Sequence, residues 1–104
     1  MSLKIIWSPA SLEEYAEILG FVEDNFGIDA ALKFLDKTDA VIDSIAIFPT
    51  MFPASKLRKD VRKAIITKHN SVYYRFNKEE VQLLHFWDNR QNPKSLEDII
   101  PRIE

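Results

Sequence analysis

A chain of 104 residues, 46% hydrophobic and 29% charged, has the makeup of one domain that buries roughly two thirds of its unfolded surface. It contains no cysteine, which excludes disulfides, thiolate metal sites and a cysteine nucleophile and is compatible with a reducing, cytoplasmic home. No apolar run approaches the roughly 20 residues that a bilayer-crossing helix needs, and the N-terminus lacks a secretory pattern.

Residues 1–104 are therefore expected to form a single domain with no membrane partner. No weight is placed on residues before Lys4. Lys4 to Trp7 is a β-branched and aromatic run that predicts a strand. Ser8-Pro9 is a helix-entry signal, since proline is preorganised for the first helical position. Ser11 with Glu14 offers a second start as a capping box. Leu12, Tyr15, Ala16, Leu19, Val22 and Phe26 recur at helical spacing, and Gly27 closes that helix. Asp29 is expected to cap a second helix whose stripe is Ala31, Phe34, Leu35, Thr38, Val41, Ile42 and Ile45. Pro49 and Pro53 forbid its continuation. Two amphipathic helices so closely joined must fold back as a hairpin.

Pro49 to Asp60 reads as a loop. Three strands should follow at 61–68, 72–77 and 81–87, separated by the turn-like His69-Asn70-Ser71 and Lys78-Glu79-Glu80. Alternation assigns Arg62, Ala64, Ile66 and Lys68 to one face of the first strand, and it separates Tyr73 and Arg75 from Val72, Tyr74 and Phe76. One sheet face should pack on the helices while the other stays partly open. Pro93 to Ile100 predicts a short final helix. The fold class expected is α+β: an N-terminal strand, a helical hairpin packed on an antiparallel three- to four-stranded sheet, and a short C-terminal helix.

The net charge of −2 conceals a division. Residues 1–55 hold three basic groups against nine acidic ones; residues 56–94 hold ten basic groups against four acidic ones. Segregation of this kind speaks of partners rather than fold. The candidates for target contact are Arg62, Arg75, Arg90 and Lys68, with Arg62 and Arg75 placed to join Arg90 on one sheet face. Arg90 has the rival role of a salt bridge to Asp88 or to the last helix, and Arg62 and Arg75 that of pairing with Glu80 or Asp88. Lys56, Arg58 and Lys59 read as general electrostatic surface. His85, in register with Leu83 and Trp87, reads as a buried, hydrogen-bonded histidine, and His69 as a surface turn residue. Two histidines without clustered partners make no metal site. With only Gly20 and Gly27 there is no phosphate-cradling loop, so no cofactor is expected.

Trp7-Ser8-Pro9-Ala10 before an acidic helix, Phe48-Pro49 at the hairpin exit, Val61-Arg62, Tyr73-Tyr74-Arg75 and the closing Asp88-Asn89-Arg90-Gln91-Asn92-Pro93 resemble, in that order, the RelE/ParE superfamily. These are toxins of bacterial type II toxin–antitoxin pairs, often called plasmid stabilisation proteins. The resemblance covers residues 4–95 and implies a RelE/ParE-like fold and a cognate antitoxin whose tail wraps the toxin. RelE-like members are metal-independent, ribosome-dependent messenger RNA endonucleases that need cations and a proton-transfer pair around the scissile phosphate. Arg62 and Arg90 match two of their basic positions. The second residue of their basic pair falls on Ala64, the arginine of the next strand falls on Ser71, and no tyrosine follows Tyr74. The resemblance therefore favours the ParE-like branch, which inhibits DNA gyrase and does not require the protein to be a catalyst. A RelE-like nuclease acting on the ribosome and mRNA is the alternative, with Arg62 and Arg90 as its catalytic residues. A non-toxic, antitoxin-binding module that regulates its own operon is the second alternative.

Overall fold

Strand β1 occupies Lys4–Trp7 in a computed structural model that describes residues 2–90 and 94–103. Just before it, the Leu3 amide donates to the Ala46 carbonyl at 2.8 Å and its side chain packs on the core. Helix α1, Pro9–Phe26, takes the earlier of its two possible starts: the Ser8 hydroxyl accepts from the Ser11 amide at 3.0 Å and Pro9 fills the first turn. Gly27, with φ 92° and ψ 171°, occupies a region that essentially only glycine enters. It alone separates α1 from α2, Ile28–Ile47. The connection is too short for Asp29 to cap; it lies in the first turn of α2, where a carboxylate suits the helix dipole.

The α2 stripe is buried much as its periodicity predicts, through Ala31, Phe34, Thr38, Ile42 and Ile45. The α1 stripe is buried only in part, through Val22, Tyr15 and Leu19. Its buried line is Ser11, Ile18 and Val22, with Tyr15 and Leu19 at its side, while Leu12 is 54% and Phe26 61% exposed. Ser11, the polar member of this line, is buried without penalty because its hydroxyl donates to the Ser8 carbonyl at 2.8 Å.

Strands β2 (Arg62–Ile65), β3 (Asn70–Phe76) and β4 (Glu80–Asp88) form the expected antiparallel meander. β1 joins it parallel to β4, giving a mixed four-stranded sheet in the order β1-β4-β3-β2. The helices cover one face around Ile18, Phe34, Ile45, Val72, Tyr74, Leu83 and Phe86. The other face is closed over Val61, Tyr73, Leu84 and Trp87 by Ile100 and its neighbours, carried by helix α3 (Lys94–Ile99) and the 3-10 turn Ile100–Arg102. It stays open near the β2 edge, where Ile65 is exposed. Gln91 to Pro93, the end of the closing motif and the start assigned to the last helix, lie outside the described residues.

A bulge interrupts β4: Tyr73 pairs with His85 and Tyr74 with Leu83, leaving Leu84 without a partner. The extra residue shifts the alternation by one. Leu83 and Phe86 consequently face the helices while Leu84 and Trp87 face α3. The expected register of His85 with both Leu83 and Trp87 does not survive, because those two residues point to opposite faces.

Candidate functional site

Topology decides where the predicted cations lie. Arg62 pairs with Tyr74, and Tyr74 with Leu83; Arg75 pairs with Gln82. Both therefore stand beside the first half of β4. Arg90 lies two residues past the end of that strand, whose last residue, Asp88, is six residues beyond Gln82, or about 20 Å at a strand's rise. The single cationic face expected of Arg62, Arg75 and Arg90 does not form.

Arg62 shares the helix-facing side with Tyr74. It donates to the Phe52 carbonyl at 2.6 Å and more weakly to that of Thr50, and its guanidinium lies 5.8 Å from the Phe76 ring centre. These contacts fasten the Pro49–Asp60 loop to the sheet, helped by the Tyr74 hydroxyl, which donates to the Pro49 carbonyl at 2.7 Å. Arg75 occupies the opposite face, donating to Gln82 at 2.9 Å and approaching Asp60 at 4.0 Å. Arg58 forms a bidentate pair with Asp60; it holds that carboxyl below its ordinary range. Asp60 thus anchors two cations of the basic region.

Lys68 and Arg90 do meet, because the β2–β3 turn and the exit of β4 occupy the same end of the meander. Their junction is a hydrogen-bonded chain. Thr67 Oγ1 donates to Asn70 Oδ1 at 2.7 Å, and Asn70 Nδ2 donates to Asp88 Oδ2 at 3.1 Å. Asp88 accepts in addition from the Arg90 amide and from Nε, both at 2.8 Å, and from Nη2. Asn89 closes the end by donating to the His69 and Lys68 carbonyls. The Asp88 side chain is only 2% exposed. Burial by itself raises its pKa, but the bonds from Arg90 and Asn70 outweigh that and hold it below the ordinary 3.8. Arg90 is raised in turn, chiefly by its bond to Asp88. Its guanidinium lies 4.6 Å from the Phe21 ring centre and 5.6 Å from that of Phe26. Arg90 is thereby fixed on the α1 C-terminal turns yet keeps 28% of its side chain open.

This junction forms one wall of a cleft of about 590 Å³. Its apolar lining is Val22, Phe26, Ala30 and Phe34; its rim is Lys33, Lys37, Lys68, His69 and Arg90. Among the described residues no carboxylate lines it. Lys33 and Lys37 are not among the contact candidates named from the sequence, which all come from the basic residues 56–94. Their signal was available: they are the only lysines of α2, four residues apart on one side of a helix whose other charges are all acidic.

His85 lies elsewhere, beside α1. Its Nδ1 is 3.0 Å from both Glu14 oxygens. Glu14 also accepts from the Phe86 amide at 3.2 Å, an edge donor of β4 beyond the point where β1 ends. Glu14 is thus a strand cap and not part of the alternative capping box, and His85 is hydrogen-bonded as the sequence implied but half-buried where a buried histidine was expected. Among the described residues no group of three His, Cys, Asp or Glu side chains is placed to hold a metal ion, and no helix is long and apolar enough to cross a membrane.

A strand, a helical hairpin, a meander and a short terminal helix arranged in this order constitute the RelE/ParE-like fold. The similarity to solved structures is of fold, at low sequence identity. The chromosomal ParDE toxin–antitoxin system of P. aeruginosa aligns with TM-score 0.70 and 16% identity, over 84% of this chain and 96% of that one. The YoeB/ParE toxin of Agrobacterium tumefaciens gives 0.61 and 14%, over 83% and 98%. The YoeB dimer of Staphylococcus aureus gives 0.59 and 15%, over 84% and 97%. No curated protein matches the sequence. A family profile described as the ParE toxin of the type II toxin–antitoxin system parDE matches residues 5–93. The chain belongs to the ParE toxin family, and that membership implies a cognate antitoxin as partner.

Proposed function

We propose that this ParE-family toxin inhibits DNA gyrase and is neutralised by its antitoxin. The observation that carries the reading is the family match over residues 5–93, joined to what occupies the nuclease positions. Ala64 is fully buried and Ser71 nearly so, so neither site presents a group to a scissile phosphate. Arg62 is spent on loop carbonyls, and about 20 Å of strand separates its end of the meander from Arg90. Charge stabilisation of a phosphorane requires donors converging on one atom, and these do not converge.

Lys68 and Arg90 are the centre of the proposed target contact. Arg62 and Arg75 join it only for a partner that spans the sheet and reaches both of its faces. Controlled expression without antitoxin tests the function. The expected result is DNA damage signalling with recoverable cleaved-DNA complexes, reduced several-fold by Lys68→Glu. Translation arrest with transcript cutting and no DNA damage signal overturns it in favour of a ribosome-dependent nuclease. Unaffected growth overturns it in favour of an operon-regulating module.

A further inference from the structure

We infer that the cleft between the helical hairpin and the β2–β3 turn binds a nucleoside polyphosphate, its phosphates on the lysines and its base on the aromatic floor. The cleft draws cations from both of its walls. Lys33 and Lys37 stand on α2, one helical turn apart. Lys68 and His69 stand in the turn opposite, with Arg90 beside them. The three lysines are exposed and uncompensated. Among the described residues, ion pairs within 4.0 Å involve Arg58, Arg75, His85 and Arg90, and none involves Lys33, Lys37 or Lys68. Cations facing one another across a concave surface focus the field between them, and a compact polyanion placed there meets all of them at once. The floor is Phe26 and Phe34 with Val22. Phe26 is left 61% exposed, a ring open to stacking by a planar base. At about 590 Å³ the cleft has the size of a small-molecule site.

The surroundings select a small ligand over a long one. A nucleic-acid strand needs cations along a continuous track. Beyond the cleft the exposed helical surface carries Glu13, Glu17, Glu23, Asp24, Asp36 and Asp39, and Arg62 and Arg75 stand at the other end of the meander. A strand leaving the cleft over the hairpin therefore meets carboxylates, whereas a short run of phosphates stays among the lysines. Inorganic phosphate satisfies the rim but leaves the apolar floor in water. A nucleoside polyphosphate uses both.

The inference goes beyond the toxin reading and shares with it only Lys68 and Arg90. Its test is isothermal titration calorimetry on purified full-length protein, with ATP free of divalent metal as the probe. The expected result is saturable binding that weakens as salt rises from about 0.05 M to about 0.5 M. The double variant Lys33→Ala, Lys37→Ala puts the best helix former at exposed helical positions. It is expected to lose at least about tenfold in affinity, and Lys68→Ala on the other wall at least about threefold. Phe26→Ala is expected to lose about fivefold for ATP while leaving inorganic triphosphate binding unchanged, the split that a base on the ring requires. The variant Lys56→Ala, Lys59→Ala, with the same change in net charge on the Pro49–Asp60 loop, is expected to stay within about twofold. Equal loss in the two double variants overturns the site. Absence of saturable ATP binding overturns the ligand class, as does inorganic triphosphate that binds as tightly as ATP. A single-stranded oligonucleotide that binds more tightly than ATP through the same lysines overturns it in favour of nucleic acid. ATP binding by a protein whose expression leaves growth unaffected refutes the toxin reading and leaves the site standing; DNA damage signalling from a protein that binds no ATP does the reverse.

Discussion

Asp88 shows how one buried carboxylate can set the geometry of a surface residue. It accepts four hydrogen bonds, three from Arg90 and one from Asn70, which is the full capacity of an ionised carboxylate. Removing it leaves Asn70 buried without that acceptor and Arg90 without its anchor. Asp88→Ala is therefore expected to cost about 2–4 kcal/mol in urea unfolding, below the range for a fully buried pair because Arg90 keeps part of its hydration. The pH dependence follows from the same bonds. The carboxyl titrates below its ordinary 3.8 in the folded protein, so between the two values the unfolded chain binds more protons. Its contribution is fully present above about pH 5, shrinks as acid is added, and is gone once the pH falls below the depressed value. In Asp88→Asn the acid limb of a stability-against-pH curve is expected to be shallower in that window. The Arg90–Asp88 pair was readable from the sequence as a neighbouring-charge alternative. The Asn70 contribution was not, since it depends on a cross-strand register 18 residues apart.

At the scale of elements, the joints carry the constraints. Gly27 has open space around the position a Cβ would take, so its requirement lies in the backbone: φ 92° with ψ 171° excludes other residues by their own sterics. Gly27→Ala is expected to lower stability by about 1–3 kcal/mol, seen as a fall in the denaturation midpoint with an unchanged m-value. Ser8 works in two directions. It caps α1 through the Ser11 amide and donates to the Leu84 carbonyl at 2.9 Å, tying the helix start to the β4 bulge. Ser8→Ala is expected to cost about 1–2 kcal/mol by thermal unfolding, the upper part of the range for a helix cap. Hairpin, meander and cap were legible because each has a local signature. The bulge has none in the apolar pattern, and it is what sends Leu83 and Trp87 to opposite sides.

For the whole molecule, the sheet is covered twice, by the helical hairpin and by the C-terminal segment. The second cover is thin: Ile100, with Leu96, Ile99 and Ile103 beside it, closes over Val61, Tyr73, Leu84 and Trp87. A chain ended at residue 93 is expected to expose that cluster as a contiguous apolar patch. Red-shifted Trp87 emission, binding of a hydrophobic dye and concentration-dependent aggregation report it; an unchanged emission maximum with a monomeric product counts against the cover. At the same scale, charge segregation has a structural outcome that sequence position alone does not show. The basic half does not make one basic face, because a meander returns each successive strand end to alternate ends of the sheet.

The order of elements, the hairpin and the family resemblance were fixed by short-range information: proline and glycine placement, the helical repeat, and turn residues between β-branched runs. Each is a property of a few neighbouring residues, and local sterics and solvation suffice to express it. Which charges share a surface depends on strand register, on one extra residue in β4, and on which side of α2 faces the β2–β3 turn. Those are decided by packing between segments far apart in the chain. That is why Lys33 and Lys37 stand across a cleft from Lys68 and Arg90, while Arg62 and Arg75 lie on opposite faces of the sheet.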